Sequence, residues 1–372
     1  MRQTHLLLPI AFGVFGVHWG AWQAVLPDLA RHYGLSTGPL GLILTAGFAV
    51  SLPAMIGTGR LVDRLGAGWG MAIPAAVVAA GILLVGTLPA LPLIVLGVVA
   101  MAAGSGSFDV AINGAAMGDS GWSRPARLTL LHAAFSGGGM LGAIAAGLLI
   151  GTDAPFQLAY PVVAVGLLGT ALLAARSGWH ARPPEGGVPR AVALAMLPLA
   201  ALAGLAFLAE GSMETWSAIY LRDELGAAAF VGALGPAAFH AAMLTGRLIG
   251  AGVATSLGGP ATLLVAGTAT LIGMALALAV PVPSLAIPGM AIAALGASFI
   301  VPVVVSLAAA RAGGHAGRAA SYVLSLGYAG FLVGPSLVGI LGELAGLRVA
   351  LLVIPVAGAI VAIASRTSVA RQ

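Results

Sequence analysis

The run LPLIVLGVVAMAAGSGSFDVAINGAAM, residues 91–117, decides the class of this chain. At 1.5 Å per residue a helix of that length crosses the roughly 30 Å of a bilayer's hydrocarbon. Inside its last third, GSGSFDVAINGAAM, sit one carboxylate, Asp109, and one carboxamide, Asn113. Spacing of i, i+4 sets both on one helix face. A charged group in hydrocarbon is costly, so such residues face a bundle interior or a wet cavity.

Composition gives the same solvent. The 372 residues are 60% hydrophobic and 7% charged, with a mean hydropathy of +1.06. A soluble domain carries about 25% charge. Too much apolar surface is present for a soluble core to hide, so the bilayer must act as solvent. Fifty-five Gly and 22 Pro suit helices that approach closely and kink. There is no cysteine, which removes disulfides, thiolate nucleophiles and thiolate metal sites. Net charge is +5 and every basic residue is Arg, scattered at segment ends, which discounts nucleic acid as a partner. No small-residue cleavage site follows the first apolar run, so the stretch from Leu6 onward reads as a retained helix.

Twelve apolar segments follow: 6–30, 37–58, 69–89, 91–117, 127–151, 156–176, 191–220, 227–252, 260–281, 283–310, 319–343 and 347–366. None alternates like an outer-membrane strand. With the N-terminus inside, 13 of the 16 Arg fall on the inner side, and only Arg31, Arg222 and Arg348 fall outside. That bias predicts cytoplasmic termini in an inner membrane of bacterial type.

The longest polar stretch, SGWHARPPEGGVPR at 177–190, reads as a linker between a bundle at 1–176 and a second at 191–372. The halves echo each other weakly. Gly59-Arg60-Leu61 returns as Gly246-Arg247-Leu248, and Gly104 to Phe108 resembles Gly296 to Phe299. Two parallel six-helix repeats are a transporter plan whose substrate site lies near the midplane between them.

The stretch Gly59-Arg60-Leu61-Val62-Asp63-Arg64-Leu65-Gly66 resembles the loop signature of the major facilitator superfamily, with Ala67 and Gly68 where two basic residues would stand. Gly246-Arg247 then reads as the degenerate second copy. A finer resemblance is to the fucose-permease-like branch and its uncharacterised bacterial relatives. Asp109-Val110-Ala111-Ile112-Asn113 looks like that branch's helix four, Arg127 to Ser136 like its helix five, and EGSMETWSAIYL at 210–221 like the helix-seven signature of the relatives. The resemblance implies an all-α fold of twelve membrane helices in two pseudo-symmetric bundles. It also implies a proton-coupling acid on helix four and a sugar-facing surface on helix five. The sugar permeases carry an acid in the middle of helix one. Here His18, Trp19, Trp22 and Gln23 stand there, and Asp28 comes only near the outer end.

Candidate proton carriers are Asp109, His132 and Glu210. Desolvation favours the neutral form of a carboxyl, and histidine titrates near physiological pH, so an Asp109–His132 relay is a reasonable reading. The bland alternatives are an ion pair of Asp109 with Arg60, Arg64 or Arg127, and a neutral His132 bonded to a backbone carbonyl. Candidate substrate contacts are His18, Trp22, Gln23, Asn113, Ser136, Glu214, Trp216 and His240, because aromatic rings stack on sugars and flat heterocycles alike. Glu210 and Glu214 share a face of helix seven toward its outer side. They bind a proton, a cationic group or hydroxyls, or else gate the helix against an arginine. Gly59, Arg60, Asp63, Arg64, Gly66, Asp119, Gly246 and Arg247 read as gating or loop residues, with Asp119 as an inner-end lock.

No phosphate loop, zinc-type His-Glu-x-x-His or nucleophile elbow occurs, so an ATP motor and an enzyme are disfavoured and no cofactor or metal is implied. The expected function is secondary transport of a small, polar, sugar-like solute by proton symport, with a monomer as the working unit. Proton-coupled efflux of a drug or metabolite is the alternative. A membrane sensor is a third reading, without the added soluble domain such a protein would carry. The Gly-Pro motif on helix five of many drug antiporters is absent: Met140 and Leu141 precede Gly142.

Overall fold

The computed structural model describes residues 2–87, 90–118, 124–178, 190–312 and 315–367. Helix dominates them, and no strand occurs among the described residues. Hydrocarbon dictates this, because a spanning segment must satisfy every backbone N–H and C=O within itself. The exposed side chains fit that solvent. Val162, Val165 and Leu344 are 73%, 71% and 78% exposed, an apolar skin no water-borne fold would present.

The chain divides into two compact units, Met1–Pro184 and Glu185–Gln372. In the first, α1 is Arg2–His32. The helical run Thr37–Thr87 covers 51 residues, about 76 Å and far more than one crossing. It breaks at Gly66 (φ 82°, ψ 164°) into α2, residues 37–65, and α3, residues 67–87. Only glycine takes that backbone region at low cost. Then come α4 (Leu91–Gly118), α5 (Arg124–Ile150) and, after a single 3-10 turn, α6 (Ala159–Ala175). In the second unit α7 (Arg190–Ile219) ends in a π turn, Tyr220–Glu224. The rest are α8 (Ala229–Leu257), α9 (Gly259–Ala279), α10 (Pro283–Arg311), α11 (Ala316–Ala345) and α12 (Leu347–Ala364). With the break at Gly66 counted, the eleven long apolar helices make twelve spans.

Packing repeats between the units. In one, α1 lies on α5 and the α2–α3 run lies on α4 and α6; in the other, α7 lies on α11, and α9 on α10 and α12. Glycine contacts set the register of the repeat. A Cβ at Gly104 would stand 2.8 Å from the Val78 nitrogen, and one at Gly296 would stand 2.8 Å from the Thr270 nitrogen. Gly81 meets Met101 as Gly273 meets Ala293. All four of these correspondences have an offset of 192 residues. Gly138 abuts the Gly13 carbonyl as Gly330 abuts that of Gly204, which shifts the α1–α7 pairing to 191. The break itself recurs 192 residues after Gly66, at Gly258 (φ 77°, ψ 159°) between α8 and α9.

This register corrects one reading of the sequence. Gly59-Arg60-Leu61 and Gly246-Arg247-Leu248 stand 187 residues apart, five short of the structural repeat. Gly246 and Arg247 are therefore not a second copy of the loop motif. Helix α8 runs on to Leu257, which leaves Arg247 ten residues, about 15 Å, from its end. Gly246 admits Ser298 of α10, where a Cβ would collide with the Ser298 side chain. It is a packing residue at a helix crossing.

Candidate functional site

In the first unit the polar face is built on α4. Asn113 Nδ2 donates to Asp109 Oδ1 at 3.0 Å and to the Asp109 carbonyl at 2.9 Å. The i, i+4 spacing thus becomes a physical contact that fixes the carboxyl against its own helix. Asp109 lies nine residues from the end of α4, about 14 Å deep, and His132 lies eight residues into α5, about 12 Å deep. His132 sits three residues, nearly a turn, deeper than the segment boundary drawn from hydropathy places it, and Asp109 one residue deeper. His132 is half-buried and meets the Phe12 ring edge-on at 5.3 Å. Ser136, one turn further along α5, is fully buried.

Helix α1 supplies the aromatic side. His18 has no exposed surface and lies between Phe15 (6.2 Å, near-parallel) and Trp19 (5.4 Å). Neither of its ring nitrogens has a hydrogen-bond partner among the described residues. An imidazole enclosed this way offers one donor and one acceptor to whatever enters. Gln23 is buried on the same helix. Trp22 is turned onto Tyr160 of α6, and the edge-on Tyr160–Phe156 contact extends that packing. Trp22 is a wall of the unit's interior and not a face open to solute. Trp19 is half-buried and stacks parallel to Phe48 of α2 (6.4 Å, 6°). Asp28 is spent on an ion pair with Arg31, 3.3 Å away.

In the second unit the charged residues gather on α7 and α8. Glu210 is 7% exposed and Glu214 is half-buried. The charges of Glu210, Glu214 and Arg247 lie within electrostatic reach of one another, and His240, fully buried, also feels Arg247. Because the π turn extends α7, Glu210 lies 14 residues, about 21 Å, from Glu224. The pair therefore stands at mid-depth and not toward the outer side. Trp216 leaves the substrate contacts. It has no exposed surface, and its indole N–H donates to the Pro335 carbonyl at 3.2 Å. Its one hydrogen-bonding group is committed within the unit.

The loop residues fall where the break needs them. Arg60, Asp63 and Arg64 are exposed at the end of α2, Gly59 faces open space, and Gly66 is buried at the turn. Asp119 lies outside the described residues. Among the described residues no group of three or more His, Asp or Glu converges as a metal site.

Comparison with known proteins agrees with this architecture. Residues 7–322 match the Major Facilitator Superfamily. An uncharacterized MFS-type transporter of Yersinia pestis is 31% identical over 355 residues, covering 92% of this chain and 89% of that one. Among solved structures, the nucleoside transporter NupG superimposes with a TM-score of 0.76 at 12% identity, covering 98% of both chains. The E. coli fucose:proton symporter FucP gives 0.64 at 19%, covering 97% of both. At such identities these two show the shared fold. The chain belongs to the major facilitator superfamily: it is an integral membrane transporter and not an enzyme.

Proposed function

We propose that this member of the major facilitator superfamily is a proton symporter for a small, polar, sugar-like solute. It works by alternating access, as a monomer, in a bacterial-type inner membrane with both termini cytoplasmic. Asp109 is the main coupling acid. Asn113 holds its carboxyl in place, and His132, at matching depth on the neighbouring span, relays the proton. His18, Gln23, Ser136 and Glu210 contact the solute.

One observation carries the reading: the Asp109 carboxyl is hydrogen-bonded by Asn113 about 14 Å inside a membrane helix. A charge so placed is costly unless the cycle uses it. The nucleoside transporter NupG and the fucose:proton symporter FucP both carry molecules that contain a sugar ring, which supports a hydroxylated solute.

Uptake into proteoliposomes tests it. A panel of labelled sugars and nucleosides is offered with and without an inward proton gradient. The account expects gradient-driven accumulation of at least one member. It expects Asp109→Asn to keep counterflow of that solute while losing accumulation. Full accumulation by the variant removes Asp109 from coupling. Extrusion driven by an inward gradient replaces symport by efflux.

A further inference from the structure

We propose that Phe207 of α7 and Tyr328 and Phe331 of α11 form a stacking platform for the ring of the solute, so that the cargo is a cyclic polyol and not an open-chain one. This deepens the transport reading above and rests on it.

Contact locks the three rings together. Phe207 and Tyr328 stack at 4.9 Å and 28°, and Phe331 meets Phe207 edge-on at 6.4 Å. Each helix gives a glycine seat to the other's aromatic. A Cβ at Gly327 would stand 3.2 Å from the Phe207 ring, and one at Gly211 would stand 3.4 Å from that of Phe331. Such packing fixes the rings before any solute arrives. The cluster is nevertheless not sealed. Tyr328 is 37% exposed, and Phe207 and Phe331 are half-buried.

Depth and sidedness say what the open face meets. Phe207 lies 17 residues from either end of α7 taken with its π turn, and Tyr328 lies 12 residues, about 18 Å, into α11. Lipid-facing tyrosines of membrane helices gather at the water interfaces, not at this depth. Helix α11 also has two exposed faces. Leu326, Val333, Ile340 and Leu344 form an apolar stripe suited to lipid. Ser321, Ser325 and Tyr328, spaced i, i+4, i+7, form a second exposed stripe about a third of a turn away. The polar stripe is turned from the lipid stripe and looks onto water or solute.

The repeat is an independent argument. Phe207 corresponds to Gly16, 191 residues earlier, and Tyr328 and Phe331 correspond to Ser136 and Gly139, 192 residues earlier. In the first unit this crossing closes backbone to backbone: a Cβ at Gly16 would collide with the Phe135 carbonyl, and Ser136 is fully buried. The fold makes the crossing without aromatic rings there, so the fold alone does not account for the three in the second unit.

Chemistry then selects the ligand. An open aromatic face grips the apolar face of a ring, while the hydroxyls of Tyr328 and Ser325, each donor and acceptor, meet hydroxyls at the ring's rim. Glu210, one turn from Phe207 and next in the chain to Gly211, adjoins the platform. Aromatic walls with a few placed polar groups are the usual make-up of a small-molecule site. An open-chain polyol offers the same hydroxyls but no rigid apolar face.

A chain without cysteine makes cysteine labelling the test. In opened membranes, Ser325→Cys reports on the polar stripe and Val333→Cys on the apolar one. A water-soluble methanethiosulfonate should label the first at least ten-fold faster. At least one of myo-inositol, D-glucose and L-fucose should slow labelling of Ser325→Cys three-fold or more, and D-sorbitol at the same concentration should not. Adding Tyr328→Leu should abolish that protection, whereas Tyr328→Phe, which keeps the ring, should retain part of it. Should Tyr328→Leu not fold, Phe207→Leu is read in its place with the same expectation. Equal labelling of the two stripes overturns the proposal. So does equal protection by D-sorbitol, protection that survives loss of the Tyr328 or Phe207 ring, or no protection by any of the three ring polyols. Protection by uracil in their stead also overturns it, since a flat heterocycle then fills the site. Counterflow of D-sorbitol or uracil by the same protein leaves transport standing while this proposal falls.

Discussion

In the proposed cycle coupling turns on Asp109, and its contact with Asn113 was legible because i, i+4 spacing on an apolar helix has one geometric meaning. The structure adds the hydrogen bond. Asn113→Leu removes the donor and leaves the carboxyl unsupported. It should lower gradient-driven uptake ten-fold or more while counterflow continues, measured in the same vesicles; unchanged accumulation would show that Asn113 does not hold Asp109 in its working position. Trp216 was not legible. Its place on the helix of Glu210 and Glu214 says nothing of the α11 carbonyl that takes its N–H. Trp216→Phe loses that hydrogen bond, which should cost about 1 kcal/mol of stability. Thermal unfolding should register the loss, with the solute KM unchanged. Arg247 was misplaced by a three-residue match, because a short sequence echo carries no register.

Helices were legible as elements from hydropathy, since the bilayer fixes their length. Their junctions were less so. Gly66 looked like a signature residue of a loop, yet its role is a backbone one: φ 82°, ψ 164° joins α2 to α3 without an intervening loop. The same conformation at Gly258 joins α8 to α9. Gly66→Ala and Gly258→Ala should therefore each cost about 1–3 kcal/mol, seen as lower unfolding temperatures of comparable size. A change at one site alone would argue against equivalent junctions. The glycines at crossings act differently. Gly81→Leu and Gly273→Leu drive a side chain into the backbone of α4 and α10. Both should deplete folded protein in size-exclusion profiles.

For the whole molecule, twelve spans and an internal repeat were foreseeable, but the repeat's offset was not, because it is written in helix contacts and not in matching words of sequence. The arginine bias survives the relocation of Arg247, at 12 inner against 3 outer. A chain without cysteine lets that orientation be read directly. Thr152→Cys should react with an impermeant maleimide on intact cells, and Thr367→Cys only after permeabilisation. The reverse pattern would invert the protein in the membrane. The central claim, that a carboxyl inside the first unit carries the proton which moves with the solute, is tested most directly by proton flux. In vesicles without an imposed gradient, adding the transported solute outside should make the external medium alkaline as protons enter with it. Asp109→Asn should abolish that pH signal while solute still exchanges. A pH signal of wild-type size from Asp109→Asn would contradict the account.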